Sequence, residues 1–338
     1  MRKVDSEKKI TRGISPEFAE ALAKSPLFKL YQEHKSELFL GIRNDSVNLY
    51  YNAASVCKVT FNSRANKLSC TSHGKYVPDA AKNKKSDYVP VPIEKIVSDY
   101  CEIKKAIDAI HGDAESSNEK KAQQKLVYLN NFNKESNWFC IDIEYVKQRI
   151  NNDDKKKYGR FDIVAVSKGK PQHRVALIEL KYGIDSLGGP SGILKHAEDY
   201  ARFKEHKILS THMKKEIVDI VANLNTLGIC PMKIDEESEL NDEPEFYFIT
   251  LNNNPKKKWS STPKMTMAGY VFCESNEKYT KEGAKRPSSN PVESKFGDIT
   301  DRKNKELYAQ FLFSEQKIDN LSITDIIDDP SYDRTFGS

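Results

Sequence analysis

Residues 159–183 read "GRFDIVAVSKGKPQHRVALIELKYG". Two apolar, β-branched runs flank a polar turn near "KGKPQH", a pattern that predicts an antiparallel strand pair. Each run carries charge where a buried strand would be apolar: Asp162 in the first, Glu179 and Lys181 in the second. Side chains alternate faces along a strand, so Val175, Leu177, Glu179 and Lys181 share one side, and Asp162, Val164 and Val166 share one side of theirs. In a suitable register the three charged groups face the same way. Converging carboxylates repel each other and burial raises their pKa values, effects that a divalent cation between them reverses. Oxygen-only ligands suit Mg²⁺, with Mn²⁺ as a substitute. A lysine two positions past the second acid can polarise metal-bound water or stabilise charge on phosphate oxygens. The pattern points to metal-assisted phosphodiester hydrolysis. The competing account is a cross-strand ion pair on an edge strand, where exposed charges are common.

The flanking text extends the pattern. "NWFCIDIEYV" (137–146) is expected to pair with the first strand of the hairpin, placing Asp142 and Glu144 on one face with Cys140 and Val146. Glu144 is then a candidate further acid. After the hairpin, "GGPSGILKHAEDYARFKEH" (188–206) reads as a turn and a helix. Ile193, Ala197 and Tyr200 form its apolar stripe, while Lys195, His196, Asp199 and Arg202 lie mostly off it. A phosphate-loop reading of this turn fails, because Gly189 and Pro190 stand where Lys and Ser/Thr are required. "EFYFITLN" (245–252), "MAGYVFCES" (267–275) and "ELYAQFLFS" (306–314) read as further strands.

An aspartate, a hairpin's length and Glu-x-Lys on the next strand, followed by a helix, resembles the PD-(D/E)XK nuclease superfamily of restriction-endonuclease-like folds. Asp162 matches the first acid and Glu179-Leu180-Lys181 the Glu-x-Lys. Phe161 stands where the name-giving proline would be. The resemblance covers roughly residues 95 to 250 and implies a mixed β-sheet core flanked by helices. It implies Mg²⁺ held by Asp162, Glu179 and the Leu180 carbonyl, with Lys181 catalytic. It also implies a helix lining the cleft, on which His196 and Tyr200 have the spacing of a polar residue four before a tyrosine. Relatives often take a further glutamate from the helix before the first strand, where Glu119 is the best-placed candidate.

The rest of the chain sets the frame. With 338 residues there is room for one large or two ordinary domains. The net charge of +5 is compatible with a polyanionic partner, though the local distribution of charge matters more. No apolar run reaches the roughly 18–20 residues that cross a bilayer. The opening "MRKVDSEKKITRGISPEF" has no apolar h-region, so no secretory signal is expected. The cysteines at 57, 70, 101, 140, 230 and 273 form no Cys-x-x-Cys pair, which suits a reducing, cytoplasmic setting. Residues 14–36 predict one or two short helices, with Ser15 as cap and Pro16 first in the helix. Residues 37–77 alternate apolar runs with Asn-rich turns, predicting an antiparallel β-meander.

The expected division is 1–92 for helix plus meander, 93–325 for a restriction-endonuclease-like α/β core and 326–338 for a loose tail. Basic residues at Lys195, Arg202, Lys256 and Lys257 are candidate nucleic-acid contacts. The functional expectation is a Mg²⁺-dependent deoxyribonuclease. A non-catalytic nucleic-acid-binding or scaffold protein with a nuclease-like fold is the alternative, and phosphate contacts leave DNA and RNA undistinguished.

Overall fold

Two serine–proline steps start the first two helices. Ser15 and Ser25 cap α1 (Pro16–Ala23) and α2 (Pro26–Glu33), and their hydroxyls accept the amides of Phe18 and Phe28 at 3.2 Å. Proline in the first turn removes an N–H that would lack a helical partner. The chain then runs through β1 (Phe39–Arg43), β2 (Ser46–Tyr51), β3 (Ala54–Asn62), β4 (Lys67–His73) and β5 (Tyr88–Pro90), each antiparallel to the one before. Asp45, Asn52 and Asn66 take positive φ at the tight turns, a conformation that Asx side chains tolerate. This is the expected meander.

The computed structural model describes residues 12–78, 88–146, 159–183, 186, 193–252 and 309–332. It contains two compact units, one of residues 1–117 with 212–239, the other of 118–211 with 240–338. No boundary falls at 92. The β5 strand completes the first sheet, and α3 (Ile93–Ser98) and α4 (Tyr100–His111) pack on α2 and β3 of the same unit. α7 (Lys214–Thr226) returns to this unit and packs on α1. There Asn223 accepts the Ile14 amide and donates to the Ile14 carbonyl, both at 3.0 Å.

The second unit is built from α5 (Asn118–Phe132), β6 (Trp138–Val146), β7 (Arg160–Ser167), β8 (Val175–Tyr182), α6 (Ile193–Glu205), β9 (Glu245–Leu251) and β10 (Ala309–Phe313). Its sheet has the order β10-β9-β8-β7-β6. β6, β7 and β8 are mutually antiparallel, whereas β8, β9 and β10 run parallel. The expected hairpin is therefore its centre. β7 and β8 read as near-continuous apolar runs because both faces are covered, α5 lying against β6, β7 and β8. The architecture is mixed α/β, with one antiparallel and one mixed sheet.

Two local expectations change. Residues 326–332 are not a loose tail: Ile326 and Ile327 are fully buried, and Asp325 accepts the amides of Asn137, Ile327 and Asp328 at 2.7–2.9 Å. The apolar pair seats the segment while the carboxylate satisfies its amides. In β6, the register shifts at Ile141, so Cys140 pairs with Ala165 and Asp142 with Val164. This bulge puts Cys140 on the face opposite Asp142. The strand read at 267–275, the candidate contacts Lys256 and Lys257, and the turn at 188–192 lie outside the described residues. Among the described residues no helix is long and apolar enough to cross a membrane.

Candidate active site

The hairpin opens at the end away from its turn. Backbone pairing of β7 with β8 runs from Val166↔Val175 to Ile163↔Ile178 and stops. Beyond it, the Asp162 carboxylate takes over: its Oδ2 accepts the Leu180 amide at 2.8 Å. A side chain thus stands where the next ladder bond would lie, holding Asp162 beside the Glu179–Lys181 stretch. From α5, the Gln123 side-chain amide donates to the Asp162 carbonyl. Glu179 and Lys181 are two apart in β8 and so share a face, and Lys181 Nζ donates to Glu179 Oε1 at 2.8 Å.

These groups are buried. Asp162, Glu179 and Lys181 expose only 6%, 2% and 4% of their surface, and β8 is the third strand of five. A solvated edge-strand ion pair is thereby excluded. Glu119, in the first turn of α5, reaches the same cluster, with Oε2 at 3.7 Å from Lys181 Nζ. From α6, His196 Nε2 lies 2.8 Å from Glu179 Oε1. Glu179 Oε2 is buried and has no hydrogen-bond partner among the described residues. An orphaned carboxylate oxygen in a buried site is costly, and such groups call for an explanation.

Burial pushes Asp162 well above the carboxylate range, and the charges of Glu179, Glu119 and Glu144 add to that. Burial likewise raises Glu179, to about 7, against the opposing pull of Lys181. Burial works against the Lys181 charge, yet Glu179 and Glu119 hold its pKa above the ordinary lysine value. The acids are thus short of positive charge.

The other sequence candidates divide. Glu144 has a left-handed backbone (φ 53°) and pairs with Arg160 at the start of β7, with Lys120 of α5 4.0 Å away. It faces a cation pair of its own instead of Lys181. Tyr200 belongs to the core: its ring stacks on Phe246 at 4.5 Å and Phe248 at 5.1 Å, and burial raises its pKa. Arg202 donates to Asp199 on its own helix at 2.6 Å. The Lys195 side chain, Lys256 and Lys257 lie outside the described residues. Sequence reading missed Arg160, Lys120 and Gln123. A signal existed for Gln123, which lies four residues after Glu119 and so on the same helical face.

Among the described residues no group of three or more His, Cys, Asp or Glu side chains is arranged to hold a metal ion. What exists is a two-carboxylate donor set, Asp162 and Glu179, with the unpartnered Glu179 Oε2 as a free donor atom. Hard oxygen donors with raised pKa values and one vacant lone-pair site fit Mg²⁺ or Mn²⁺, which complete their shells with water and phosphate. No family model, no curated protein and no solved structure matches this chain.

Proposed function

We propose that this protein is a Mg²⁺-dependent nuclease of the restriction-endonuclease-like, PD-(D/E)XK kind, hydrolysing phosphodiester bonds in DNA. The observation that carries the reading is Asp162 and the Glu179-x-Lys181 pair gathered at the open end of a buried central hairpin, with Glu179 Oε2 unpartnered. The order of elements supports it: a helix, three antiparallel strands, a helix and a parallel strand accord with the mixed sheet that the resemblance implies.

In this reading Asp162, Glu179 and the Leu180 carbonyl hold the cation, which when bound supplies a Lewis acid that lowers the pKa of water and offsets phosphate charge. Asp162 is oriented twice, by the Leu180 amide at its carboxylate and by Gln123 at its carbonyl. Lys181 carries a proton held by Glu179 and Glu119, and its ammonium positions the attacking water and stabilises the charge growing on the phosphate. His196 supports Glu179 from α6.

A second reading has its own observation. Glu179 Oε1 already has Lys181 and His196 as neighbours, so the cluster is partly neutralised without a cation, as a non-catalytic nucleic-acid-binding protein would need. Cleavage assays with Asp162→Asn and Lys181→Ala decide between them. Each variant is expected to lose about 10²–10⁴-fold in rate while still melting cooperatively, with a shifted midpoint for Lys181→Ala because it removes the buried partner of Glu179. Calorimetric titration with Mn²⁺ should show heat that the Asp162 variant lacks. Normal cutting by the Lys181 variant would remove the catalytic assignment.

A further inference from the structure

The candidate metal ligands are buried, so an incoming phosphate must first be received by something nearer solvent. Two cations meet that need. Arg160 begins β7, two residues before Asp162, and Lys120 follows Glu119 on α5. Their side chains are 52% and 51% exposed, in contrast to the 5% of Lys181. Both converge on one anion, the Glu144 carboxylate: Arg160 pairs with Oε2, and Lys120 lies 4.0 Å from Oε1. Glu144 stands on a left-handed backbone that glutamate seldom adopts (φ 53°), so the position is specified by its surroundings and not by local preference. The Glu144 side chain itself is 21% exposed and within reach of solvent.

We propose that Lys120 and Arg160 form an anion cradle for a backbone phosphate of the nucleic-acid substrate, and that Glu144 is a built-in stand-in which the phosphate displaces. The inference rests on the nuclease reading for the substrate class. A carboxylate and a phosphate present similar oxygen pairs to a guanidinium, and a flexible ammonium follows either. Glu144 is then a positioning residue that holds the two cations side by side. Arg160 is electrostatically coupled to Glu144, Asp162 and Glu179 together, so its position spans the stand-in and the proposed metal ligands.

The test is binding of a short fluorescein-labelled DNA duplex, and of an RNA of the same sequence, to the full chain in chelator over a salt series. Arg160→Ala and Lys120→Ala should each weaken binding about tenfold. Each should also reduce the slope of log affinity against log salt by about 1. Arg160→Lys should keep that slope. Glu144→Gln, which keeps shape and removes charge, should bind more tightly than wild type. A merely structural ion pair gives a different result: Arg160→Ala and Glu144→Gln would lower the melting temperature alike and leave the salt slope unchanged, which overturns the cradle. Wild-type slopes with lost cleavage in the Asp162 and Lys181 variants leave the cradle standing on binding alone. Binding in chelator, with no cleavage by wild type once Mg²⁺ or Mn²⁺ is supplied in excess, sinks the nuclease reading but keeps the cradle if the slopes fall. Failure of wild type to bind either probe overturns both.

Discussion

At Glu179 a carboxylate has been placed where water cannot stabilise its charge, and this has a measurable consequence. Its pKa is near 7 in the folded protein against about 4.5 when exposed. The folded state therefore holds a proton that the unfolded chain has released, and stability is lost as pH rises through that window. The metal-free protein should lose up to ~1.4 kcal/mol per pH unit between those values from this group. Urea midpoints in chelator at pH 5 and pH 8 measure it, and the expected order is a higher midpoint at pH 5. Glu179→Gln should reduce the difference, because it carries no proton to lose, and Asp162, raised in the same direction by burial, supplies the remainder. Equal wild-type midpoints would show that neither Glu179 nor Asp162 is held protonated by burial. Metal binding should strengthen over the same range, since the carboxylate must be ionised to bind a cation.

The α6 helix does two jobs with residues one turn apart. His196 points to Glu179, while Tyr200 stacks into the ring layer formed with Phe246, Phe248 and Phe161. Among the described residues the Tyr200 hydroxyl makes one long 3.5 Å hydrogen bond, to the Tyr247 carbonyl. Tyr200→Ala should cost ~3–5 kcal/mol by leaving a cavity in that layer. Tyr200→Phe keeps the ring and should retain cleavage with a near-wild-type melting transition. Loss of cleavage by the Phe variant, with stability intact, would make Tyr200 part of the chemistry instead of the core. The helical spacing alone cannot separate these roles, because residues four apart lie on one face whatever that face meets.

At the scale of the whole molecule, the chain order and the folded order differ. Residues 212–239 return to the unit begun by residues 1–117, where Ile217, Ile220, Val221 and Leu224 of α7 are buried and Asn223 ties α7 to Ile14. A fragment ending at 117 would expose the apolar surface that α7 covers and lose the Asn223 hydrogen bonds to Ile14. It should unfold without a cooperative transition by circular dichroism. Adding residues 212–239 in trans or through a linker should restore one. A sharp two-state melt by the 1–117 fragment alone would show that the returning helix is dispensable.

The chain by itself determined the local pieces. The serine–proline helix starts, the Asn-bearing turns of the meander and the apolar β7–β8 hairpin each follow from backbone preferences and side-chain period within a few residues. The same period placed Glu179 and Lys181 on one face, because two residues along a strand restore the side. Tertiary structure decided the rest. A bulge at Ile141 reversed the facing of Cys140 relative to Asp142, an insertion that alternation cannot register. The burial of Ile326 and Ile327 and the return of α7 depend on surfaces contributed by distant residues. The gathering of Glu119, Lys120, Gln123 and His196 around the hairpin likewise arises from packing helices onto a sheet, where proximity in space owes nothing to proximity in sequence.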